Sequence, residues 1–336
     1  MTVTPQTNTT LEGIAEALMG CTSLAICGHV SPDGDCIGSQ LALAHALRKL
    51  GKRVTCLLAK DEPIDPNLAF LPGADKLVPA SSFDGFVDCL VAVDVPTPER
   101  LGGADVLRRR APLTVTVDHH AVPEAMSRLS YTDPDAASTT TLIWRLVEQL
   151  GVDYDADIAT CAYTGLMTDT GRFQYQNADA AAFALASQIV AQGADPGAIS
   201  REVYQNRRAA SVYLEALAIS HLELLDGGCV ALSWLSADDF ATCGADRADA
   251  EPLIDVLRSI SGVRVACMLR QQGDVVRGSL RAKDDTDVAA IAREFGGGGH
   301  RAAAGLTLEV PLPEAVDQLR ARLVRDEGPA CGEAGA

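Results

Sequence analysis

Two adjacent histidines follow an aspartate in the segment VTVDHHAV, residues 115–122. The chain holds only six histidines, so a neighbouring pair at the end of an apolar run needs an explanation. The pair could lie by chance beside a surface loop, or it could supply ligands to a metal ion. One pair does not separate these interpretations, so further ligands have to be sought elsewhere in the sequence.

A second group of such residues stands in GHVSPDGDCIGS, residues 28–39, which contains His29, Asp33 and Asp35. The competing interpretation of this segment is an aspartate that caps a helix, with spare acids on the surface. Two more segments carry an isolated acid, Asp94 in DCLVAVDV and Asp169 in TGLMTDTGRF. Four separate segments therefore offer aspartate or histidine side chains.

The elements around these residues predict that they meet. Buried strands are indicated by TSLAICGHV, RVTCLLA, DCLVAVDV and LTVTVDHH, and a helix is indicated by CIGSQLALAHALRKLG. Strands that alternate with helices predict an α/β fold with an open, mainly parallel sheet, which binds ligands outside the carboxyl ends of its strands. Burial of so many acids at that edge would be costly unless they bind cations.

The type of ligand indicates the metal. Carboxylates and imidazoles suit Mn²⁺ and also Co²⁺, Fe²⁺ or Zn²⁺, and we expect no thiolate ligand in these motifs. Two metals about 3.5–4 Å apart are a common device for phosphoryl chemistry, because they lower the pKa of a bound water and clamp the attacking and leaving oxygens. We therefore expect two divalent ions, Mn²⁺ before Mg²⁺ or Co²⁺, with Asp94 as the bridging carboxylate.

The second half of the chain predicts a smaller α/β domain. CVALSWL indicates a strand, VRVACMLRQQGDVVRGSLRAK a hairpin around Gly273, and DVAAIAREFGGGGHRAAAGLTLEV a helix, a glycine-rich turn, a short helix and a strand. A glycine run before a helix presents bare N–H groups to an anion, although a flexible linker is the alternative. The residues that would bind a substrate phosphate or nucleotide here are Gly298, Gly299, His300 and Arg281, with Arg270 and Lys283 as weaker candidates.

These patterns give the domain boundaries. We expect a first domain, which carries the candidate metal ligands, over residues 1–190, a helical linker over 191–227, a second domain over 228–326 and a disordered tail over 327–336. A cleft between the two domains would hold the substrate.

Net charge and composition limit the functions that are possible for this protein. The net charge of −17 argues against a track for long duplex DNA, which proteins usually hold by neutralising phosphates with basic residues. The sequence shows neither an apolar run of about 20 residues nor a signal peptide, so we expect no membrane association. The ten cysteines form no C-x-x-C pair, which indicates reduced, buried thiols and a cytoplasmic location.

Six segments together resemble a known family. HVSPDGD, VAVDVP, VDHH and TGLMTDTGRF are similar, in this order, to the four motifs of the DHH phosphoesterase family. GSLRAK and FGGGGHRAAAG resemble the DHHA1 substrate-binding domain of that family. The resemblance covers roughly residues 20–325 and is best to the short two-domain type, which comprises oligoribonuclease (nanoRNase) and 3′-phosphoadenosine 5′-phosphate phosphatase.

The resemblance implies a role for each residue of the motifs. One metal would be held by His29, Asp33 and Asp94, and the other by Asp35, Asp94, His119 and Asp169. His120 would face the substrate phosphate, and Asp118 would orient the histidines. Leu142 stands where the family frequently has Glu, and Ala282 where it commonly has Ser, which leaves any role of Ser138 or Thr139 open.

The implied activity is hydrolysis of 2–4-mer oligoribonucleotides to mononucleotides, and of 3′-phosphoadenosine 5′-phosphate to AMP and phosphate, by a metal-activated water. Alternatives are a cyclic- or linear-dinucleotide phosphodiesterase, a manganese pyrophosphatase-like hydrolase, and a non-catalytic nucleotide sensor. The expected partners are short RNA and nucleoside 3′,5′-bisphosphate, and the sequence leaves a homodimer open.

Overall fold

The computed structural model describes residues 7–121 and 124–324, apart from the side chain of His300. The tail that was predicted at 327–336 lies outside these residues. The chain divides into two compact units, Met1–Asn206 and Arg207–Ala336. The division falls inside the segment that the sequence predicted as a helical linker, and each unit is built around its own sheet.

The first unit contains a six-stranded, wholly parallel sheet in the order β3-β2-β1-β4-β5-β6. Its strands are β1 Ser23–Cys27, β2 Arg53–Leu58, β3 Val78–Pro79, β4 Cys89–Val93, β5 Leu113–Asp118 and β6 Leu129–Thr132. Its helices are α1 Leu11–Met19, α2 Gly34–Lys49, α3 Asp105–Arg108, α4 Thr139–Gln149, α5 Ala156–Asp169, α6 Ala180–Ala191 and α7 Pro196–Tyr204.

Both faces of this sheet are covered, which explains why its strands are continuous apolar runs. All five residues of β1 and of β4 are buried. Helices α2, α4 and α5 pack on one face, while α3 and the 3-10 segment Pro98–Ala104 pack on the other. The predicted parallel α/β fold is confirmed. Because the direction of winding reverses between β1 and β4, a crevice is expected at the carboxyl ends of these two strands.

Glycine allows α2 and α5 to pack unusually closely. A Cβ atom at Gly38 would lie 2.5 Å from the carbonyl oxygen of Cys161, and one at Gly34 would lie 2.4 Å from the Thr168 hydroxyl. Any larger residue at Gly38 would push the two helices apart, since the obstructing atom belongs to the backbone of α5. This close contact fixes the start of α2 against the end of α5.

The outer edge of β6 is covered by the segment that precedes α1. The side chains of Thr7 and Asn8 accept hydrogen bonds from the backbone N–H groups of Thr132 and Ser130, at 3.0 and 2.8 Å. In return, the Asn8 backbone N–H and the Thr7 hydroxyl donate to the carbonyl oxygens of Ser130 and Thr132. The outward-facing backbone groups of this strand are thus satisfied within the chain.

The second unit contains a mixed six-stranded sheet in the order β11-β12-β10-β9-β8-β7, in which only the β8–β9 pair is parallel. Its strands are β7 Glu223–Leu225, β8 Val230–Leu235, β9 Val265–Gln272, β10 Val275–Ala282, β11 Gly298–His300 and β12 Ala303–Leu308. Its helices are α8 Ala209–Ser220, α9 Ala237–Cys243, α10 Leu253–Ser259, α11 Val288–Glu294 and α12 Leu312–Leu323. Helices α11 and α12 cover one face, and α8 and α10 cover the other.

The glycine-rich segment differs from its prediction. Gly298–His300 form strand β11, which pairs antiparallel with β12, and the next element is strand β12 rather than a short helix. The expected glycine-rich turn before a helix N-terminus is therefore wrong. The hairpin around Gly273 is confirmed, because β9 and β10 pair across it and Gly273 has a positive φ of 61°.

The cysteines mostly follow the expectation of buried, reduced thiols. Of the eight free thiols in residues 7–121 and 124–324, seven are buried and Cys243 is partly exposed. Cys229 is disulfide-bonded and departs from the expectation. None of the helices in the described ranges combines the length and the apolarity that crossing a bilayer requires.

Candidate metal centre

Three neighbouring strands deliver polar residues to one edge of the first sheet. His29 follows β1 by two residues, Asp94 follows β4 directly, and Asp118 ends β5. These strands are adjacent in the sheet, so their carboxyl ends lie side by side. Helices α2 and α5 add Asp35 and Asp169 to the same place. The structure thus brings together all of the metal ligands that the sequence predicted.

Asp94 lies at the centre of this group and is buried, with 2% of its surface exposed. Its two carboxylate oxygens lie 3.3 Å from Nε2 of His29, 3.7 Å from Nε2 of His119 and 3.5 Å from Nδ1 of His120. The backbone of Asp94 is left-handed, with φ of 58°. Such a conformation costs about 1 kcal/mol or more for a residue other than glycine and is concentrated at functional sites.

Asp35 is held by the N-terminus of α4. Its carboxylate accepts hydrogen bonds from the backbone N–H groups of Thr139 and Thr140, at 2.7 and 2.9 Å, and from the Thr140 hydroxyl at 2.8 Å. The Thr139 hydroxyl donates to Asp94 at 3.1 Å. A Cβ atom at Gly165 would lie 2.8 Å from the Asp35 carboxylate, so glycine is needed there. A helix N-terminus stabilises the buried negative charge.

Asp33 and Asp169 are placed differently from the buried acids. Asp33 caps α2 by accepting from the backbone N–H groups of Asp35 and Cys36, and its side chain is 60% exposed. Its carboxylate lies 3.8 Å from Nε2 of His29. Asp169 is the last residue of α5, and it lies 3.8 Å from Nε2 of His119. Helix capping and a place in the acidic cluster therefore coexist at Asp33.

Hydrogen bonds to the ring nitrogens fix the orientation of the two adjacent histidines. Nδ1 of His119 lies 3.2 Å from the carbonyl oxygen of Ala136, which can only accept, so the proton of the neutral ring lies on Nδ1 and its lone pair on Nε2. That Nε2 faces Asp35, Asp94 and Asp169. Second-sphere bonds of this kind commonly hold a metal-binding imidazole in place.

Asp118 orients the ring of His120. Its Oδ1 atom lies 2.9 Å from Nδ1 of His120, and it also accepts from the backbone N–H groups of His119 and His120. A proton shared between Oδ1 and Nδ1 leaves Nε2 of the neutral His120 ring as the basic nitrogen. His120 is thereby oriented differently from His119, with an interplanar angle of 71° between the two rings.

The titration behaviour shows an excess of negative charge. Burial and the nearby Asp94 and Asp169 raise the pKa of Asp35 well above its usual range. Burial also raises the pKa of Asp169 to about 6. Burial alone would lower the pKa values of His29 and His119, but the surrounding carboxylates raise both to about 9. The cluster thus retains protons that a divalent cation could replace.

The donor atoms fit divalent metals. Three groups of three donors in the described chain have all their ligand atoms within 4.8 Å of one another: Asp35, His119 and Asp169; Asp94, His119 and His120; His29, Cys36 and Asp94. Asp94 and His119 are each shared by two groups, as expected for neighbouring cations. Mixed carboxylate and imidazole donors suit several divalent metals.

Three residues at or beside this site, Thr139, Thr140 and Cys36, were not predicted from the sequence to be part of it. The role of Thr139 was left open, Thr140 was not considered, and the expectation of no thiolate overlooked Cys36, which stands inside the first motif. The serine–threonine run at 138–141 was the available signal, because such a run often begins a helix. Nothing local, however, indicates that its N–H groups point at Asp35.

The residues predicted to bind substrate lie in the second unit. Arg281 is on β10 and partly buried; its guanidinium donates to the carbonyl oxygen of Leu280 at 3.0 Å, and burial lowers its pKa. Strand register places Arg281, Ala303 and His300 in one row across the sheet, and the side chain of His300 lies outside the described structure. Gly298 and Gly299 belong to β11.

The two weaker candidates of this unit already have protein partners. Arg270 is 5% exposed and donates to the Ser279 hydroxyl at 2.6 Å, with Glu251 at 3.1 Å. Lys283 donates to the carbonyl oxygen of Ile260 at 2.8 Å. These contacts are sufficient to explain both residues structurally.

Comparison with known proteins agrees with this geometry. The family model described as "DHH family, N-terminal domain" matches residues 23–166, and the DHHA1 domain model matches residues 235–325. The chain belongs to the DHH family and carries a C-terminal DHHA1 domain. The family resemblance read from the motifs is thus confirmed.

Individual relatives are similar over most of the chain. A protein of Thermus thermophilus, named bifunctional oligoribonuclease and PAP phosphatase NrnA, is 31% identical over 90% of this chain and 89% of its own length. The Bacillus subtilis protein of the same name is 25% identical over 83% of this chain and 87% of its own. The crystal structure of an exopolyphosphatase-related protein from Bacteroides fragilis superimposes with a TM-score of 0.88 at 26% identity, covering 93% of this chain and 95% of the other.

Proposed function

We propose that this protein is a metal-dependent phosphoesterase that hydrolyses 2–4-mer oligoribonucleotides to mononucleotides and 3′-phosphoadenosine 5′-phosphate to AMP and phosphate. The observation that carries the proposal is the cluster of four aspartates and three histidines at the carboxyl edge of β1, β4 and β5. The two relatives named as oligoribonuclease and PAP phosphatase support the choice of substrates. We place this activity in the cytoplasm.

The cluster would hold two divalent ions, with Mn²⁺ as the first choice. His29, Asp33 and Asp94 would bind one, and Asp35, Asp94, His119 and Asp169 the other. When bound, such a pair supplies a water of lowered pKa and positive charge for the phosphoryl oxygens. Burial keeps bulk water away from Asp35 and Asp94, so their interaction with cations is weakly screened.

His120 would contact the phosphoryl group directly. Its Nδ1 is held by Asp118, so the ring is oriented before substrate arrives and Nε2 is the nitrogen through which it would act. Such fixed groups favour a transition state, because they need no rearrangement as charge develops on the phosphate oxygens. Asp118 would act through the histidines as a positioning residue.

The second unit would bind the remaining part of the substrate. Arg281 offers a partly buried cation, and the bare backbone of Gly298–Gly299, beside His300, would let a phosphate or nucleotide approach closely. Arg270, which is buried and already paired with Ser279 and Glu251, would contribute less, as would Lys283 just past the end of β10. A dinucleotide could use both binding regions, whereas a small ester would need only the metal centre.

The function is tested by comparing substrates with Mn²⁺ present. Purified protein is assayed against a dinucleotide, a 24-mer RNA, 3′-phosphoadenosine 5′-phosphate, a cyclic dinucleotide and pyrophosphate. We expect the dinucleotide and the bisphosphate to be hydrolysed fastest, with mononucleotides as products. Fastest turnover of the cyclic dinucleotide or of pyrophosphate would replace the proposal with one of those activities.

The substrate-binding role has its own test. Arg281→Ala should weaken the dinucleotide reaction by about 1.5–3 kcal/mol, the scale of a hydrogen bond to a charged group. Lys283→Ala, at the residue that directly follows β10, is the matched control and should lower the rate of dinucleotide hydrolysis by less. Bis-p-nitrophenyl phosphate should be hydrolysed at nearly the parental rate by both variants. If Arg281→Ala lowered the rates on the dinucleotide and on bis-p-nitrophenyl phosphate equally, Arg281 would have no specific role in substrate binding.

A further inference from the structure

Cys36 stands beside the metal centre although the chemistry described so far does not use it. It is the third residue of α2, is fully buried, and its backbone N–H donates to the capping carboxylate of Asp33. One donor atom each from His29, Cys36 and Asp94 lie within 4.8 Å of one another. No other cysteine in residues 7–121 and 124–324 belongs to such a group.

The backbone is shaped to admit this sulfur. A Cβ atom at Gly28, between β1 and His29, would lie 2.0 Å from Sγ of Cys36. Only glycine therefore allows the thiol to lie against the end of the strand that carries His29. The start of α2 is packed against α5 at Gly34, so the backbone of Cys36 is held near His29 while its side chain keeps rotational freedom.

The distances suit coordination. At bond lengths of about 2.3 Å to sulfur and 2.0–2.1 Å to nitrogen or oxygen, two ligand atoms of a tetrahedral metal lie about 3.3–3.8 Å apart. A group already within 4.8 Å reaches that spacing with side-chain shifts of about an ångström. Without a metal, burial and the nearby Asp94 and Asp33 raise the pKa of the Cys36 thiol well above its ordinary value, so the thiolate forms only together with the metal–sulfur bond.

We propose that Cys36 is a further ligand of the metal that His29 and Asp94 hold, and that it makes this position prefer thiophilic cations such as Zn²⁺, Co²⁺ or Cd²⁺. The inference rests on the proposed metal centre. The thiol proton is released to solvent as the metal–sulfur bond forms. The group of Asp35, His119 and Asp169 keeps only nitrogen and oxygen donors, so the two positions differ in softness.

Cobalt gives a direct test that does not depend on activity. The full-length protein is loaded with Co²⁺, and its near-ultraviolet spectrum is recorded. A thiolate-to-cobalt charge-transfer band is expected in the parent protein and in Cys161→Ser, a control at a buried cysteine of α5. The band should vanish in Cys36→Ser. Full loading of the parent protein without this band overturns the proposal, whether or not any variant folds.

Affinity gives the second test. In Cys36→Ser the dissociation constant for Cd²⁺ should rise at least about tenfold, while that for Mn²⁺ should change less than about threefold, given that altered metal surroundings commonly cost 10–100-fold. Equal changes for both metals would contradict the assignment. Metal loading and dinucleotide hydrolysis without the charge-transfer band would refute only the sulfur ligand. The band without hydrolysis would refute only the proposed function.

Discussion

At Asp94 a left-handed backbone coincides with a buried carboxylate that touches three imidazoles. Aspartate and asparagine tolerate this conformation better than other residues with a side chain. The carboxylate is held ionised, because the imidazoles, His29 foremost, overcome the effect of burial and lower the pKa of Asp94 to about 2. An ionised carboxylate among three imidazoles is suited to the bridging role proposed for Asp94.

We expect Asp94→Asn to lower kcat/KM on a dinucleotide by more than about a hundredfold, because changes around metal ligands already cost 10–100-fold. Asparagine keeps the size and the backbone preference, so the melting temperature should not fall. Metal content by mass spectrometry and thermal unfolding by circular dichroism check both points. Asp61→Asn, at an exposed acid, is the control. Activity within tenfold of the parent at full metal loading would exclude Asp94 as a bridging ligand.

The neighbouring histidines should respond differently to substitution. His119→Ala should lower the metal content, since its Nε2 faces Asp35, Asp94 and Asp169. His120→Ala should retain the metals but lose at least about a hundredfold in kcat, the scale of one donor to a developing negative charge. Metal analysis and steady-state kinetics of both variants decide this. Equal metal loss in the two proteins would be evidence against separate roles.

The sequence was sufficient to find the histidines and aspartates that the structure brings together, but not the groups that hydrogen-bond to them. Asp94 and His119 could be found because a polar residue at the end of an apolar run is recognisable in the amino-acid sequence alone. The hydrogen bonds from Thr139 and Thr140 to Asp35 depend on where α4 begins relative to α2, a tertiary property. The proximity of Cys36 to His29 likewise depends on the fold.

At the scale of elements, apolar runs predicted strands β1, β4 and β5 well because a parallel sheet covered on both faces requires such runs. The glycine run at 296–299 has no side-chain periodicity, so its sequence does not distinguish a turn from a strand. Pairing with β12 determines its conformation. The prediction of a helix N-terminus failed there for that reason.

The contact between α2 and α5 can be tested through Gly38. Gly38→Ala should lower the free energy of unfolding by about 1–3 kcal/mol, the usual cost of overpacking, because its Cβ would meet the backbone oxygen of Cys161. Gly20→Ala is the control, since the nearest atom to its Cβ is 3.4 Å away. Urea unfolding measures both. A neutral effect at Gly38 would show that the helices separate without cost.

At the scale of the whole molecule, the net charge of −17 affects the approach of long, polyanionic substrates. A long polyanion meets repulsion outside the metal centre, and salt screens that repulsion. We expect the ratio of kcat/KM for a 24-mer RNA to that for a dinucleotide to rise with ionic strength. The opposite trend, typical of proteins with basic tracks, would indicate a cationic path for the strand. Assays between low and physiological salt distinguish the two.

The bonds from Thr7 and Asn8 to β6 also affect how the molecule behaves in a concentrated solution. An edge strand with unsatisfied N–H and carbonyl groups is a template onto which a strand of a second molecule can add. A protein shortened past Asn8 should therefore form sheet-mediated aggregates at concentrations where the longer chain stays dispersed, as light scattering would show. Thr7 and Asn8 thus protect the edge of the sheet from intermolecular strand pairing, and their removal is expected to lower the solubility of the protein.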